Sequence, residues 1–227
     1  MSILQIFKAI LVLPFAWASS IRYQKKSEKE SYFKLQKWSA FMIRYLGYHL
    51  EAQGVENIPK EEAVFFVCNH QGTLDPALVV ATSPLPLAFI SKKENEKMPI
   101  FGRWASNIGT IHFDRESREG NVYMLRESAR TLKEGKSLLI FPEGTRSKGD
   151  KMNEFKVGAL QPAYLAKATL IPVTLNNAYC IDDKKDKNKR LTITYGKAIP
   201  YEEYKQYKHT EMTSIMFDKV ESNIQYH

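Results

Sequence analysis

Val64-Phe65-Phe66-Val67-Cys68-Asn69-His70-Gln71-Gly72-Thr73-Leu74-Asp75-Pro76 changes character twice. Val64 to Cys68 is apolar and β-favouring and reads as a buried strand, Asn69 to Leu74 is a polar loop with a glycine at its centre, and Asp75-Pro76 opens a helix. Strand, loop and helix in succession mark an α/β fold, in which reactive side chains gather on loops at strand ends. A tight turn at Gly72 would bring the Asp75 carboxylate back to one imidazole nitrogen of His70. That contact fixes the tautomer and raises the basicity of the other nitrogen, giving a general base with no serine attached. The plainer alternative makes Asp75 a helix cap and His70 a satisfied strand-end side chain. A Cys68–His70 thiolate dyad is set aside, because a free cysteine in an apolar strand is usually inert packing.

The same alternation extends outward from this stretch. Strands are expected at Val64 to Cys68, Leu87 to Ile90, Thr110 to Phe113, Ser137 to Phe141, Leu170 to Leu175 and Leu191 to Tyr195. Helices are expected near Pro76 to Ala81, Ile100 to Ser106, Arg118 to Lys133 and Val157 to Ala166, with a last one within Thr210 to Ile224. The fold class is therefore α/β: a single layered domain with a mixed sheet flanked by helices, over residues 51–227. Asp182 to Arg190 has no apolar residue and reads as a solvated loop. No internal repeat occurs.

A second cluster, Phe141-Pro142-Glu143-Gly144-Thr145-Arg146-Ser147, leaves the strand Ser137 to Phe141. A glycine turn with exposed amides, a hydroxyl and an arginine suits phosphate, since guanidinium offers a planar bidentate fork. Glu154-Phe155-Lys156-Val157-Gly158-Ala159 brings another cation to a helix start, and Lys92 and Lys93 follow a strand. Gly135-Lys136-Ser137 is not a P-loop: Arg130 occupies the place of its first glycine, and the triplet precedes a strand instead of following one. No G-x-S-x-G elbow and no H-E-x-x-H motif is present.

The chain has 227 residues, enough for one packed domain, and 44% hydrophobic with 26% charged residues is a globular composition. Two cysteines exclude a disulfide scaffold and a thiolate zinc site built by this chain alone, which fits a reducing, cytoplasm-facing setting. Of the formal net charge of +8, residues 1–50 carry eight Lys/Arg against two Glu. A nucleic-acid binder would spread its charge over a face of the fold, whereas a basic end interleaved with apolar and aromatic residues points to an anionic bilayer.

Residues 9 to 18, AILVLPFAWA, are uncharged. A helix over Ala9 to Ile21 would be roughly 20 Å long, short of the roughly 30 Å hydrocarbon core, and is expected to dip without spanning. A signal peptide is the competing reading, weakened by a single lysine ahead of the apolar run. Leu35, Trp38, Met42, Tyr45 and Leu46 repeat at helical spacing opposite Lys34, Lys37 and Arg44. Such a helix commonly packs on its own domain. The apolar segment before it favours instead a two-helix membrane-interface anchor over residues 1–50.

Together these runs resemble the glycerolipid acyltransferases, most closely the 1-acylglycerol-3-phosphate (lysophosphatidic acid) acyltransferases. The N-H-x-x-x-x-D block of that family matches Asn69, His70 and Asp75, and its F-P-E-G-T-R-S block matches Phe141 to Ser147 without a change. Gly109-Thr110-Ile111-His112-Phe113-Asp114-Arg115 is similar to its glycine-aromatic-Asp-Arg block, with His112 a departure, and Leu170-Ile171-Pro172-Val173 to its proline-centred strand. The resemblance covers roughly residues 60 to 175. It implies transfer of a fatty acyl group from a thioester, on acyl carrier protein or coenzyme A, to the sn-2 hydroxyl of a lysophosphatidate.

On that resemblance His70 is the base and Asp75 its orienter. Glu143, Gly144, Thr145 and Arg146 clamp the acceptor, and Arg115 and Lys92 neutralise phosphate. No cofactor or metal is expected, the partners are membrane lipids, lysophosphatidic acid and the thioester carrier, and the location is the cytoplasmic face of the cell membrane. The alternatives are an acceptor such as glycerol 3-phosphate or another lysolipid, or a non-catalytic protein that binds anionic lipid.

Overall fold

The computed structural model describes residues 3–60, 62–183 and 188–226, with side chains from residue 5 onward. The centre of the charged run Asp182 to Arg190, residues 184–187, lies outside the described residues. Two helices, α1 (Ile3–Tyr23) and α2 (Glu28–Tyr45), come first. The turn between them is set by a capping box, in which Ser27 Oγ accepts from Glu30 N at 3.2 Å and Glu30 Oε2 accepts from Ser27 N at 3.1 Å. The two helices fold back on each other: Gln5 Nε2 donates to Leu46 O at 3.0 Å and Lys8 Nζ to Tyr45 O at 3.2 Å.

The body alternates β1 (His49–Gln53), β2 (Val64–Cys68), α3 (Asp75–Thr82), β3 (Leu87–Lys92), α4 (Phe101–Asn107), β4 (Ile111–Phe113), α5 (Arg118–Lys133), β5 (Ser137–Ile140), α6 (Gln161–Ala166), β6 (Thr169–Asn176), β7 (Arg190–Tyr195), α7 (Tyr201–Tyr204) and α8 (His209–Glu221). The strands form one mixed sheet in the order β1-β7-β6-β2-β5-β3-β4. Among the described strands, only β6 and β7 pair antiparallel. Every residue of β2 is buried, as a parallel strand covered on both faces must be. Its side chains alternate between two cores. Val64, Phe66 and Cys68 face α2 and α3, while Phe65 and Val67 face α5, α6 and α8.

Register decides where the two motifs meet. Phe65 pairs with Leu138 and Val67 with Ile140 in parallel, so the loops after β2 and β5 leave the sheet side by side. Asn69 continues the ladder on the other flank of β2. Its amide accepts from Leu175 N at 2.7 Å and donates to Leu175 O at 3.0 Å, standing in for strand backbone one residue past the strand.

Several expectations are corrected. β1 has an almost wholly exposed sequence, His49-Leu50-Glu51-Ala52-Gln53, with no apolar alternation to announce it; pairing with β7 alone makes it a strand. The helix expected from Val157 starts only at Gln161, because Gly158 adopts φ +100°. α7 had no signal of its own. α1 extends over 21 residues, roughly 30 Å at helical rise, so the short apolar run understates its length.

The apolar stripe of α2 is not turned outward as expected. Tyr32, Ile43 and Leu46 are buried in the core shared with β2 and α3, and Leu35 and Met42 pack against it. The outward apolar surface is carried mostly by α1, through Ile6, Phe7, Ile10, Leu11, Phe15 and Trp17, with Phe33 and Phe41 added from α2. The division drawn at residue 50 falls inside β1 and at no break in packing.

Asn69→Leu keeps the volume but strips Leu175 N–H and C=O of their partners in a fully buried position. The expected loss is about 2–4 kcal/mol of unfolding free energy, read as a lower urea midpoint at unchanged slope. A loss below about 0.5 kcal/mol would show that the ladder does not need this amide.

Candidate active site

The loop after β2 wraps around one carboxylate. Asp75, fully buried at the first turn of α3, accepts from His70 Nδ1 at 2.7 Å, Gln71 N at 2.6 Å and Gly72 N at 2.9 Å. The helix cap position is Leu74, so Asp75 is the partner of His70 and not a cap. Only glycine fits at 72, since a Cβ there would lie 2.9 Å from Ala178 O. A carboxylate accepts and does not donate, so Nδ1 carries the ring hydrogen and Nε2 keeps its lone pair. Burial raises the Asp75 carboxyl above its usual range, opposed by the hydrogen bonds from His70, Gly72 and Gln71.

A second buried carboxylate joins the two motifs. Glu143 Oε1 accepts from His70 N at 2.6 Å, and Oε2 accepts from Asn153 N at 2.8 Å and Asn153 Nδ2 at 3.0 Å. Ser147 N donates to His70 O at 2.7 Å, so both main-chain polar groups of His70 are held by the loop after β5. The Phe141 ring stacks on the His70 ring with centroids 4.2 Å apart. Glu143 is therefore spent on the protein, one oxygen on His70 N and the other on Asn153, which departs from its expected place in an acceptor clamp.

The remaining predicted residues separate into two groups. Arg146 and Thr145 are exposed, and Arg146 donates to the Thr73 hydroxyl on the rim of the His70 loop. Thr73 N in turn donates to Asp182 Oδ2 at 2.7 Å. On the other side of the turn, Arg115 donates to Gly144 O and borders a cavity of about 390 Å³ together with Arg118 and Lys156. Lys92 is drawn to Glu94, 2.9 Å away, and does not border that cavity. Sequence reasoning missed Thr73, Asn153, Asp182 and Arg118. Asp182 sat in a run read as solvated, and nothing local tied it to a loop more than a hundred residues earlier.

The Cys68 thiol is buried, donates to Asn69 O at 3.2 Å, and is pushed well above its usual range, by burial first and then by the charges of Asp75 and Glu143. It is packing and no nucleophile. Behind Asp75, Leu74 and Pro76 open onto an almost wholly apolar cavity of about 300 Å³ among α1, α2, α3 and α4, walled by Trp38, Met42, Phe89 and Trp104. His70 thus stands where an apolar chamber and two cationic groups converge. The arrangement suits deprotonating an alcohol that carries an anionic group, beside an alkyl chain.

The description "Acyltransferase" belongs to a family model that matches residues 49–176, more than half of the chain. The 1-acyl-sn-glycerol-3-phosphate acyltransferase of Borreliella burgdorferi is 27% identical over 177 residues, 77% of this chain and 71% of that one. The probable 1-acyl-sn-glycerol-3-phosphate acyltransferase of Mycoplasma pneumoniae is 30% identical over 188 residues, 76% of this chain and 70% of that one. The crystal structure of the 1-acyl-sn-glycerophosphate acyltransferase PlsC from Thermotoga maritima superposes with a TM-score of 0.79 at 24% identity, over 96% of this chain and 91% of that one, and shares the fold.

Burial is also the main influence on the Glu143 carboxyl and raises it above the ordinary 4.5, against the hydrogen bonds from His70 and Asn153. The folded protein therefore keeps this proton to higher pH than the unfolded chain. Stability contributed by the group falls as pH rises from about 4.5 through the folded-state pKa, and is level above it. Glu143→Gln removes the titration. Relative to that variant, the wild type is expected to lose unfolding free energy between about pH 4.5 and neutrality in a urea series; a relative gain would reverse the sign.

Proposed function

The chain belongs to the acyltransferase family, and from that premise we propose that it moves a fatty acyl group from a thioester to the sn-2 hydroxyl of 1-acylglycerol 3-phosphate, forming phosphatidic acid for phospholipid synthesis. The observation that carries this reading is the 2.7 Å contact of His70 Nδ1 with the buried Asp75 carboxylate, at the junction of the apolar chamber and the cationic turn. Similarity to the 1-acyl-sn-glycerol-3-phosphate acyltransferases of Borreliella burgdorferi and Mycoplasma pneumoniae supports the acceptor.

An alcohol is a weak nucleophile until its proton leaves, and a thioester already carries a good leaving group, so one oriented base suffices. His70 Nε2 takes the hydroxyl proton as the oxygen attacks the thioester carbonyl carbon. Asp75 stabilises the imidazolium that forms. Collapse of the tetrahedral intermediate breaks the carbon–sulfur bond, and the imidazolium returns its proton to the departing thiolate. No acyl-enzyme is needed. The acceptor phosphate lies only a few bonds from the reacting hydroxyl, so it belongs beside the His70 loop, where Arg146 and Thr73 meet. The acyl chain of the donor enters the apolar chamber.

Membrane attachment follows from α1. Residues Gln5–Tyr23 are long and apolar enough to cross a membrane, with a mean hydropathy of 1.2. Trp104 Nε1 donates to Ala16 O at 3.2 Å and Asn107 Nδ2 to Ser20 O at 2.8 Å, however, which ties this helix lengthwise to α4. With its outward face apolar and Lys34, Lys37 and Arg44 nearby, it docks on one anionic leaflet, on our reading the cytoplasmic leaflet of the cell membrane, where the lipid acceptor is concentrated.

His70→Ala is expected to lower kcat by about 10²–10⁴ in a protein that still folds, at some cost in urea stability from the donor lost to Asp75, and Arg146→Ala to raise KM for lysophosphatidate about tenfold. Transfer of labelled acyl groups from thioester to lysophosphatidate measures both, and near-normal turnover by the first variant would end the assignment of His70. Phe7→Asp and Phe15→Asp, at positions 59% and 68% exposed, are each expected to weaken flotation with anionic vesicles at least ~10-fold. Undiminished binding would put the membrane face elsewhere.

A further inference from the structure

The turn that leads into α4 carries apolar side chains outward beside α1. Trp104 Nε1 donates to Ala16 O and Asn107 Nδ2 to Ser20 O, so the two helices run parallel. One turn before Trp104, Phe101 comes level with Leu13. Both residues line the apolar chamber, and both are exposed, Phe101 at 38% and Leu13 at 39%. The outward apolar surface of α1 therefore does not end at the edge of that helix. It crosses from Leu13 to Phe101 and on to exposed Pro99 and Met98, the last at 45%.

Single exposed apolar residues are ordinary on any protein surface. This turn differs in continuing a larger apolar face and in standing on a fixed frame. Asn95 Nδ2 donates to Ser91 Oγ at 3.0 Å, Met98 N to Asn95 O at 3.2 Å and Gly102 N to Met98 O at 2.9 Å. α4 lies so close on the 3-10 turn Lys93–Lys97 that a Cβ on Gly102 would come within 2.1 Å of Glu96 O. Lys93 and Lys97 offset Glu94 and Glu96, so an anionic surface is not repelled by this turn.

We propose that residues 98–101 form a second membrane contact, entering the same lipid leaflet as α1. The inference rests on the reading of α1 as a membrane-docked helix. A helix lying flat on a leaflet is free to roll about its long axis. A second apolar contact to one side stops the roll and fixes which flank of α1 meets the lipid. That flank is the one on which Leu13 and Phe101 border the chamber, so the chamber is held at the lipid surface.

Cys68 and Cys180 are both buried, so one introduced cysteine can carry a nitroxide label. Met98→Cys, Phe15→Cys on α1 and Tyr226→Cys, exposed past α8, are each labelled and read by power saturation on vesicles of phosphatidylcholine and phosphatidylglycerol. The label at 98 is expected, like that at 15, to be reached by oxygen and shielded from a water-soluble nickel chelate, with the reverse at 226. Met98→Asp is expected to weaken flotation with these vesicles about tenfold and to raise KM for long-chain lysophosphatidate in them about tenfold. KM for a short-chain, water-soluble lysophosphatidate is expected to stay within about twofold.

A label at 98 open to nickel while that at 15 is shielded would overturn the proposal and leave α1 docked, as would undiminished flotation of Met98→Asp. A KM raised equally for both acceptors would overturn it too, since residue 98 would then act on the chamber and not on the leaflet. A label shielded at 98 and open at 15 would leave this contact standing and remove α1 from the membrane.

Discussion

Glu143 holds the main chain of His70. Burying a carboxylate is costly unless its oxygens find donors, and this one finds His70 N on one side and Asn153 on the other. The requirement acts in both directions: the carboxylate is tolerated because the loops after β2 and β5 surround it, and the loops are fixed because the carboxylate must be satisfied. Asp75 imposes the same condition on the next residues, collecting Gln71 N, Gly72 N and the imidazole at one point. His70 thus acquires its orientation from two buried anions, while its own ring is stacked on Phe141.

Around that fixed point the sheet distributes unlike surfaces. Parallel pairing of β2 with β5 sets the His70 loop beside the glycine turn. The face of β2 bearing Phe66 and Cys68 looks toward α2 and α3, where the apolar chamber lies, and the turn beyond β5 carries the cations. Alkyl chain, reacting carbonyl and phosphate can each meet matching chemistry without any one residue serving two ends. α1, tied to α2 and α4 by side-chain to backbone hydrogen bonds, roofs the chamber while leaving its other face apolar and exposed. A helix so placed carries an exposed apolar face on one side and a wall of the chamber on the other.

The strands with the clearest patterns appeared at their expected places: Val64–Cys68 without a change of boundary, and Leu87–Lys92 and Arg190–Tyr195 longer by one or two residues at an end. Each carries buried apolar residues, continuous in Val64–Cys68 and alternating in Arg190–Tyr195, and burial leaves a mark on composition. β1 left none, because an edge strand exposed along nearly its whole length needs only a partner for its backbone. The stripe of α2 was visible, but what it faces was not: the same spacing of Leu35, Met42 and Leu46 serves a bilayer or a neighbouring helix equally well, and here α3 and the sheet take it.

The order of residues along the chain determined the His70–Asp75 contact and the glycine–arginine turn, because both are local: His70 and Asp75 flank one loop, and Gly144 and Arg146 sit within another. It determined the alternation of strands and helices for the same reason. Tertiary structure alone decided that Glu143 binds His70 N and Asn153, that Asp182 braces Thr73, and that Arg115 and Arg146 stand on opposite sides of one turn. Those relations depend on which strands lie side by side, and strand order is set by the collective burial of two cores on either face of the sheet, a quantity that no single stretch of the chain contains.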